Sequence, residues 1–493
     1  MKRSSGILMH ITSLPSRFGI GTMGGSAYEF VDFLFKAGQK YWQVLPIHPT
    51  GFGDSPYQSF STYAGNPYMI DLEVLCEKGL LYLSECENLD WGEDPVQVDF
   101  EKIYMNKSKV LRRAFDRGFD PDGEGYVDFL RKNEAWLSDY AVFMAAKENS
   151  GMRPWKEWDD EKLVFHDKEA IAEFAEKNSR QVDFYKYIQY IFFGQWEALK
   201  AYANGKGVSL IGDIPIYVAA DSADAWGNRD MFHFNISNNS VCVAGCPPDF
   251  FSNDGQHWGN PLYNWDYLKK TDYGWWMQRL KSLAKLYDMI RIDHFRGFEA
   301  YYSIDSGAAT AQNGHWVKGP GMDFFSRVKE KLPGLSIIAE DLGFLTEDVH
   351  ILLEKTGYPG MKVLQFAFDS DSGNAYLPHN YNKNCVVYTG THDNDTIAGW
   401  MVNTPENEVE SAKKYAALTT KEGYNWGMIR LAFSSVADLA VVPMQDYLGL
   451  PSSARMNRPA TLGKNWRWRA DREYLSDSLA KKIRELADRY GRV

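Results

Sequence analysis

The sequence contains few cysteines and no pattern that would pair them. A chain of 493 residues has only five, at positions 76, 86, 242, 246 and 385. An odd number in so long a chain argues against a disulfide framework and is typical of a reducing compartment. Cys242 and Cys246 are four residues apart, but no second pair of cysteines or histidines completes a zinc site. We therefore expect a cytoplasmic protein without a metal site.

Long apolar runs and an excess of positive charge are also absent. No stretch approaches the roughly 18 apolar residues of a membrane-spanning helix, and the run Gly6–Met9 is too short for the core of a signal peptide. The chain has 54 basic and 65 acidic residues, giving a net charge of −11, and no segment rich in lysine and arginine. These features argue against a membrane protein and against a nucleic-acid-binding protein.

Aromatic residues, in contrast, are abundant. They make up 15% of the chain, with 16 Trp and 29 Tyr. Aromatic side chains usually fill hydrophobic cores, but their flat apolar faces also match sugar rings, so carbohydrate sites are often lined by them. An acidic surface together with this composition suits an enzyme that acts on a neutral substrate.

Eight short apolar runs recur along the chain, and each ends at or near a polar residue. Continuous apolarity over so few residues is typical of strands buried on both faces. Helix-like segments separate most of them, beginning with Tyr28–Ala37, for which Ser26 is the predicted N-cap. Eight strands alternating with helices predict an α/β fold, a (β/α)8 TIM barrel. The predicted strands are Gly6–His10, Tyr41–Pro46, Val208–Ile214, Met289–Asp293, Ser336–Glu340, Lys362–Phe366, Val386–Thr389 and Leu439–Pro443.

The interval between the second and third predicted strands is much longer than one crossover requires. We therefore expect a large, mainly helical subdomain at residues 60–204, inserted after the second strand. Residues 1–59 and 205–493 would form the catalytic barrel, including a loop insertion at about 219–270. The helices predicted in the inserted part are Lys102–Gly118, Tyr126–Ser150, Lys168–Asn178 and Asp183–Asn204.

Four acidic residues come at or just beyond the ends of predicted strands. Asp213, Asp293 and Glu340 end three of the runs, and Asp393 follows the run Val386–Thr389. The C-terminal ends of the strands line the active site in barrels of this kind. One Asp after a strand is more often a helix N-cap or a turn residue. Four acids at four strand exits point instead to a site built from carboxylates.

Such a site suits the cleavage of a glycosidic bond, which needs one ionised and one protonated carboxyl group. Arg291, two residues before Asp293, faces the same side of the strand and would keep Asp293 ionised. A structural ion pair is an equally good interpretation of that pair alone. Glu340 follows apolar residues, and desolvation would raise its pKa, as a general acid requires. His392 beside Asp393 offers a donor and an acceptor for sugar hydroxyls, although alone it would be interpreted as a structural histidine.

Four segments occur in the order of the four regions of the α-amylase clan: Asp213–Val218, Arg291–Gly297, Ala339–Gly343 and Thr391–Thr396. Within that clan the chain closely resembles, essentially end to end, the amylomaltases, which are 4-α-glucanotransferases also called disproportionating enzymes. Further matching segments are Ser55–Ser61, Gly65–Tyr68, Pro247–Phe251, Gly255–Pro261 and Arg455–Pro459.

The resemblance implies a role for each acid: Asp293 as nucleophile, Glu340 as acid/base and Asp393 as stabiliser of the transition state. It implies donor and acceptor substrates that are both α-1,4-glucans, and no metal or cofactor. The glucose unit that forms the covalent intermediate would be bound by Tyr57, Asp213, Arg291 and His392.

Four further residues resemble the acceptor side of the family's site. Phe250 and Phe251 look like the tip of a loop over the acceptor, with Gln256 and Trp258 beside it. The first aromatic residue of that loop is often tyrosine in the family, so Phe250 can still stack on a sugar but lacks a hydroxyl group.

A hydrolase of the same clan is an alternative function. The motifs predict retention of the anomeric configuration, but transfer to a glucan rather than to water follows only from the resemblance. An inactive glucan-binding protein is a second alternative, which the presence of all three carboxylates disfavours.

Overall fold

The computed structural model describes residues 2–51, 53–248, 253–343 and 345–493. Within these ranges, strands form one parallel and one antiparallel sheet. In chain order the strands are β1 (Ser4–Leu8), β2 (Tyr41–Gln43), β3 (Ser209–Pro215), β4 (Cys242–Cys246), β5 (Gln256–Pro261), β6 (Met289–Asp293), β7 (Ala300–Asp305), β8 (His315–Lys318), β9 (Ile337–Ala339), β10 (Gly360–Val363), β11 (Cys385–Tyr388) and β12 (Leu439–Pro443).

Eight parallel strands form the barrel, in the order β10-β11-β12-β1-β2-β3-β6-β9. All eight predicted strands are present with ends shifted by a few residues, and the predicted barrel is confirmed. Every residue of β1, β11 and β12 is buried, as expected for strands covered on both faces. The first and last strands of this order approach each other where the amide of Ala339 donates to the carbonyl of Pro359 at 3.0 Å. The carboxylate of Asp341 adds a second link by accepting from the amide of Met361 at 2.5 Å.

Helices form the outer layer of the barrel and most of the chain between β2 and β3. No helix of the described residues is both long enough and apolar enough to cross a membrane. The α-helices are α1 (Gly25–Lys36), α2 (Leu72–Glu77), α3 (Leu83–Glu87), α4 (Phe100–Gly118), α5 (Glu124–Lys132), α6 (Glu134–Asn149), α7 (Glu161–Val164), α8 (Lys168–Lys177), α9 (Ser179–Gly205), α10 (Ala223–Gly227), α11 (Trp265–Lys270), α12 (Gly274–Leu286), α13 (Gly321–Lys331), α14 (Glu347–Thr356), α15 (Ile397–Asn403), α16 (Glu406–Ala416), α17 (Tyr424–Ser434), α18 (Met444–Leu448) and α19 (Asp477–Arg489).

The segment between β2 and β3 is mainly helical, as predicted, but one predicted helix is divided. Tyr126–Ser150 is two helices, α5 and α6, which meet at Asn133. The side chain of Asn133 donates to the carbonyl of Phe129 at 2.9 Å, and so occupies an acceptor at the end of α5. Apolar residues of this segment belong to the same continuous core as the barrel. The division of the chain into a barrel and an inserted subdomain at residues 60–204 stays a prediction.

The predicted N-cap of α1 is wrong. The helix begins at Gly25, and Gly24 is its N-cap, two residues earlier than the sequence indicated. A Cβ atom at Gly24 would lie 2.1 Å from the carboxyl group of Asp71, so only glycine fits at this position. Ser26 instead donates its hydroxyl hydrogen to the carbonyl of Pro15 at 3.2 Å.

A small antiparallel sheet, for which the sequence predicted no strands, lies beside the barrel. Its order is β5-β4-β7-β8. Two of its strands come from the loop insertion at about 219–270, and the other two follow β6. The residues of β5, Gln-His-Trp-Gly-Asn-Pro, are mostly polar and show no apolar alternation, so the strand depends on pairing with β4.

Candidate active site

Three of the predicted acidic residues lie on neighbouring strands of the barrel. In the parallel register between β3 and β6, Asp213 is opposite Arg291. Strands β6 and β9 pair as far as the residues just before Asp293 and Glu340. Because parallel strands end at the same edge of the sheet, Asp293 and Glu340 lie side by side at the C-terminal rim.

Arg291 connects two of these acids. Its Nη1 atom lies 2.6 Å from both carboxylate oxygens of Asp213 and 3.0 Å from Oδ1 of Asp293. Burial lowers the pKa of the guanidinium, but the carboxylates of Asp213 and Asp293 outweigh this effect and raise its pKa well above the usual value. Tyr57 completes the group by donating its hydroxyl hydrogen to Oδ2 of Asp213 at 2.8 Å. A permanent positive charge therefore lies next to the carboxylate of Asp293.

Asp293 and Glu340 are two interacting carboxyl groups. Removal from water raises the pKa of both above their usual values, Arg291 opposes the rise, and neighbouring carboxylates including Asp213 reinforce it. The sequence predicted a raised pKa for Glu340 alone. The pKa of Asp293 is raised as well, mainly by burial and further by the charges of Asp213, Glu340 and Asp393. Such a pair holds one proton more readily than a pair of isolated carboxylates does.

The surroundings of Glu340 differ from the apolar environment that the sequence predicted. Its Oε2 atom accepts from the backbone amide of His294 at 2.7 Å, and Oε1 accepts from that of Leu342 at 2.8 Å. His294 has a left-handed backbone with φ of 55°, which is uncommon for a residue other than glycine. The turn that follows Asp293 thus also fixes the carboxyl group of Glu340.

Asp393 lies beyond β11 and is linked to His392 and to Asn457. Its Oδ1 atom accepts from the side-chain amide of Asn457 at 2.6 Å, and Oδ2 lies 3.4 Å from Nε2 of His392. The imidazole of His392 stacks on the ring of Tyr57, with centroids 5.2 Å apart and planes at 16°. Burial lowers the pKa of His392, although Asp393 opposes this. A neutral imidazole has one donor and one acceptor nitrogen for hydroxyl groups.

The predicted acceptor side is described in part. Gln256 and Trp258 lie on β5, where the indole Nε1 of Trp258 donates to Oε1 of Gln256 at 3.0 Å. The indole is edge-on to the imidazole of His294, with centroids 4.9 Å apart and planes at 89°. Trp258 is therefore close to the residue that follows Asp293 in the chain. Phe250 and Phe251 lie outside the described residues.

The structure also brings residues to the site that the sequence did not single out. His294 and Asn457 occur inside matched segments, but no role followed from their positions. Trp466 belongs to no matched segment, yet its ring lies 5.9 Å from that of Tyr57 and 6.0 Å from that of His392. Over the part of the chain that the structure describes, no group of three or more potential metal ligands comes together.

The site lies at the rim of a parallel barrel, where an aspartate paired with an arginine and a glutamate occupy the ends of adjoining strands. This is the architecture of a barrel enzyme that acts on glycosidic bonds. The chain belongs to the 4-alpha-glucanotransferase family, whose model matches residues 9–474. A 4-alpha-glucanotransferase of Clostridium butyricum is 51% identical over 486 residues, which cover 98% of this chain and 100% of the relative. One of Thermus thermophilus is 44% identical, with 99% of each chain covered. The solved structure of an amylomaltase from Streptococcus agalactiae in complex with acarbose has a TM-score of 0.97 and 42% identity, with both chains fully covered.

Proposed function

We propose that this protein transfers α-1,4-glucan segments from a donor glucan to glucose or to another glucan, with retention of the anomeric configuration. The observation that carries the proposal is the arrangement of Asp293, paired with Arg291, beside Glu340 at the next strand exit. Maltooligosaccharides, amylose and glycogen-type glucans are the proposed donors and acceptors. A cytoplasmic location is part of the proposal, because an odd number of cysteines in a long chain is typical of a reducing compartment.

In the first half of the proposed reaction, a carboxylate oxygen of Asp293 attacks the anomeric carbon of the donor. The glycosidic bond breaks as Glu340 gives its proton to the leaving oxygen, and the shortened glucan departs with a free 4-hydroxyl group. The side chain of Asp293 retains 28% exposure, so a sugar can reach it from the barrel mouth. Arg291 stabilises the carboxylate before the attack.

In the second half, Glu340 takes the proton from the 4-hydroxyl group of an incoming glucan. The resulting nucleophile attacks the same anomeric carbon, the ester to Asp293 breaks, and two inversions give overall retention. Asp393 is proposed to stabilise the positive charge that develops on the sugar in both transition states. Beside Asp393 lies a cluster of hydrogen-bonding and charged groups, formed by Tyr57, Asp213, Arg291 and His392. This arrangement supports their proposed role in binding the transferred glucose unit.

The proposed acceptor side determines whether a glucan or water completes the reaction. An exposed apolar ring can stack on an acceptor sugar and exclude water from the ester. Trp258, close to the turn after Asp293, supports such a role, with Gln256 as a polar partner. Phe250 and Phe251 are proposed to extend this surface. In a hydrolase of the same clan, water would take the place of the acceptor.

Incubation with maltotriose tests the proposed function. Each transfer breaks one α-1,4 bond and makes another, so we expect glucose and a ladder of longer oligomers with an almost constant number of reducing ends. Chromatography of the products together with a reducing-end assay measures both quantities. Asp293→Ala is the control, and it should leave maltotriose unchanged because the intermediate cannot form. Reducing ends that rise in step with substrate loss would instead identify a hydrolase.

A further inference from the structure

Beyond β12, residues 456–466 form a closed loop beside the candidate site. The amide of Trp466 donates to the carbonyl of Met456 at 2.6 Å and closes the neck of the loop. Inside the loop, the side chain of Asn465 accepts from the amide of Arg458 at 3.0 Å and donates to the carbonyl of Thr461 at 3.0 Å. These bonds close the loop on itself.

The neck of this loop is bonded to the segment that carries Asp393. Asn457 donates from its side chain to Oδ1 of Asp393 at 2.6 Å and from its backbone to the carbonyl of His392 at 3.0 Å. Arg455 donates to the carbonyl of Asp393 and, at 2.7 Å, to that of Asn457. The loop therefore contacts both the backbone and the side chain of this part of the site.

We propose that Asn457 is a positioning residue, which holds the carboxylate of Asp393 in the orientation that the glycosyl transfer requires. The inference rests on the proposed function of Asp393. The side chain of Asp393 is 44% exposed, so packing alone leaves its carboxylate free to rotate. A bond of 2.6 Å to one oxygen fixes that rotation and leaves Oδ2 at 3.4 Å from Nε2 of His392.

An amide is suited to this role because it donates a hydrogen bond without carrying a charge. A lysine or arginine in the same place would neutralise part of the negative charge with which Asp393 is proposed to stabilise the transition state. Asn457 therefore orients the carboxylate and preserves its charge. Its contribution should appear when the sugar becomes positively charged, rather than when the substrate binds.

Replacement of Asn457 by Ala tests the proposal on the intact enzyme. We expect kcat with maltotriose to fall about ten- to a hundredfold, with KM changed far less, because misplacement of a catalytic group acts on the transition state. Leu462→Ala is the control, since it shortens an exposed side chain of the same loop and removes no hydrogen bond to Asp393. We expect its kcat to stay within about twofold of that of the parent enzyme.

A double-mutant cycle separates positioning from a general structural effect. If Asn457 acts through Asp393, then Asn457→Ala should cause no further loss in an Asp393→Asn background. The isosteric Asn457→Asp, which places one carboxyl against another, should lose at least as much activity as Asn457→Ala and covers the case in which the alanine variant fails to fold. Additive losses, or equal losses from Asn457→Ala and Leu462→Ala, would overturn the inference. The products of the unmodified enzyme test the proposed function separately.

Discussion

Arg291 distinguishes the two central carboxyl groups from each other. Asp293 lies 3.0 Å from a guanidinium that stays charged at every relevant pH, whereas the hydrogen-bond partners of Glu340 are two neutral backbone amides. A charged partner stabilises a carboxylate more than a neutral donor does. When the pair holds one proton, we therefore expect Glu340 to carry it, which fits the proposed acid and nucleophile.

A covalent intermediate on Asp293 can be trapped in a Glu340→Gln variant. With a glucan donor the variant should turn over very slowly, because the leaving oxygen receives no proton. Glucosyl fluoride needs no acid for its departure, so the first half of the reaction should proceed and the second should stop for lack of a base. Mass spectrometry should then find a glycosyl adduct on Asp293. An adduct on another residue that proved essential for turnover would contradict the assignment of the nucleophile.

Some residues of the site could be predicted from the sequence and others could not. The positions of Asp213, Asp293 and Glu340 could be predicted because buried strands are recognised as apolar runs, and parallel strands bring the ends of these runs together. Asn457 and Trp466 could not be predicted in this way, since they lie in a loop after the last barrel strand. Only the folded chain places that loop beside the segment that follows β11.

Among the secondary-structure elements, the contact between β9 and β10 differs from the others in the barrel. Instead of a ladder, the amide of Ala339 and the carboxylate of Asp341 link the two strands. Burial raises the pKa of Asp341 from 3.8 to about 7, although the amide of Met361 opposes the rise. Because the folded-state pKa is the higher one, the contribution of this group to stability is complete below about pH 4 and is lost as the pH rises to about 7.

Replacement of Asp341 by Asn should remove this loss of stability at high pH. The amide oxygen can still accept from Met361, but the side chain no longer ionises. The quantity to compare is the free energy of unfolding of the variant minus that of the parent protein. We expect this difference to be more positive at pH 8 than at pH 4, by up to about 4 kcal/mol. Urea unfolding at the two pH values measures the difference. Glu354→Gln, at an exposed position on α14, is the control, and an identical pH dependence in both variants would refute the expectation.

The elements that the sequence missed share a physical cause. Barrel strands are buried on both faces and so appear as continuous apolar runs. The antiparallel strands β4, β5, β7 and β8 form a separate sheet, and two of them, β5 and β8, contain polar residues in place of an apolar face. In β5 and β8, pairing with the neighbouring strands outweighs a weak local propensity, and pairing between distant segments leaves no trace in a local pattern.

The whole molecule is organised around one main apolar core that includes barrel and inserted helices. Trp196 on α9 is fully buried, its ring lies 5.8 Å from that of Tyr287, and its indole donates to the carbonyl of Leu286 at 3.1 Å. This contact joins the end of the inserted segment to the chain that leads into β6. We therefore expect the inserted helices and the barrel to unfold together, although the former are predicted to form a subdomain.

Trp196→Ala tests that coupling. Loss of a buried indole should lower the free energy of unfolding by about 3–5 kcal/mol. Differential scanning calorimetry should show one transition, shifted as a whole to lower temperature, because both parts share the core. Val402→Ala, which shortens an exposed side chain of α15, is the control. Its free energy of unfolding should stay within about 0.5 kcal/mol of that of the parent protein. Two transitions, of which only one moved, would mean that the inserted helices unfold independently.

The pairing of β1 with β12 affects how the protein is made. Ser4 is opposite Leu439, so the first strand acquires its second neighbour only when nearly the whole chain has been synthesised. At about 5–20 residues per second, this takes on the order of 20 to 90 seconds, during which one edge of β1 stays open on the growing chain. An open edge is where another chain can add a strand. The nascent protein, rather than the finished one, is therefore the form most exposed to aggregation, and its yield should depend on how fast the ribosome reaches β12.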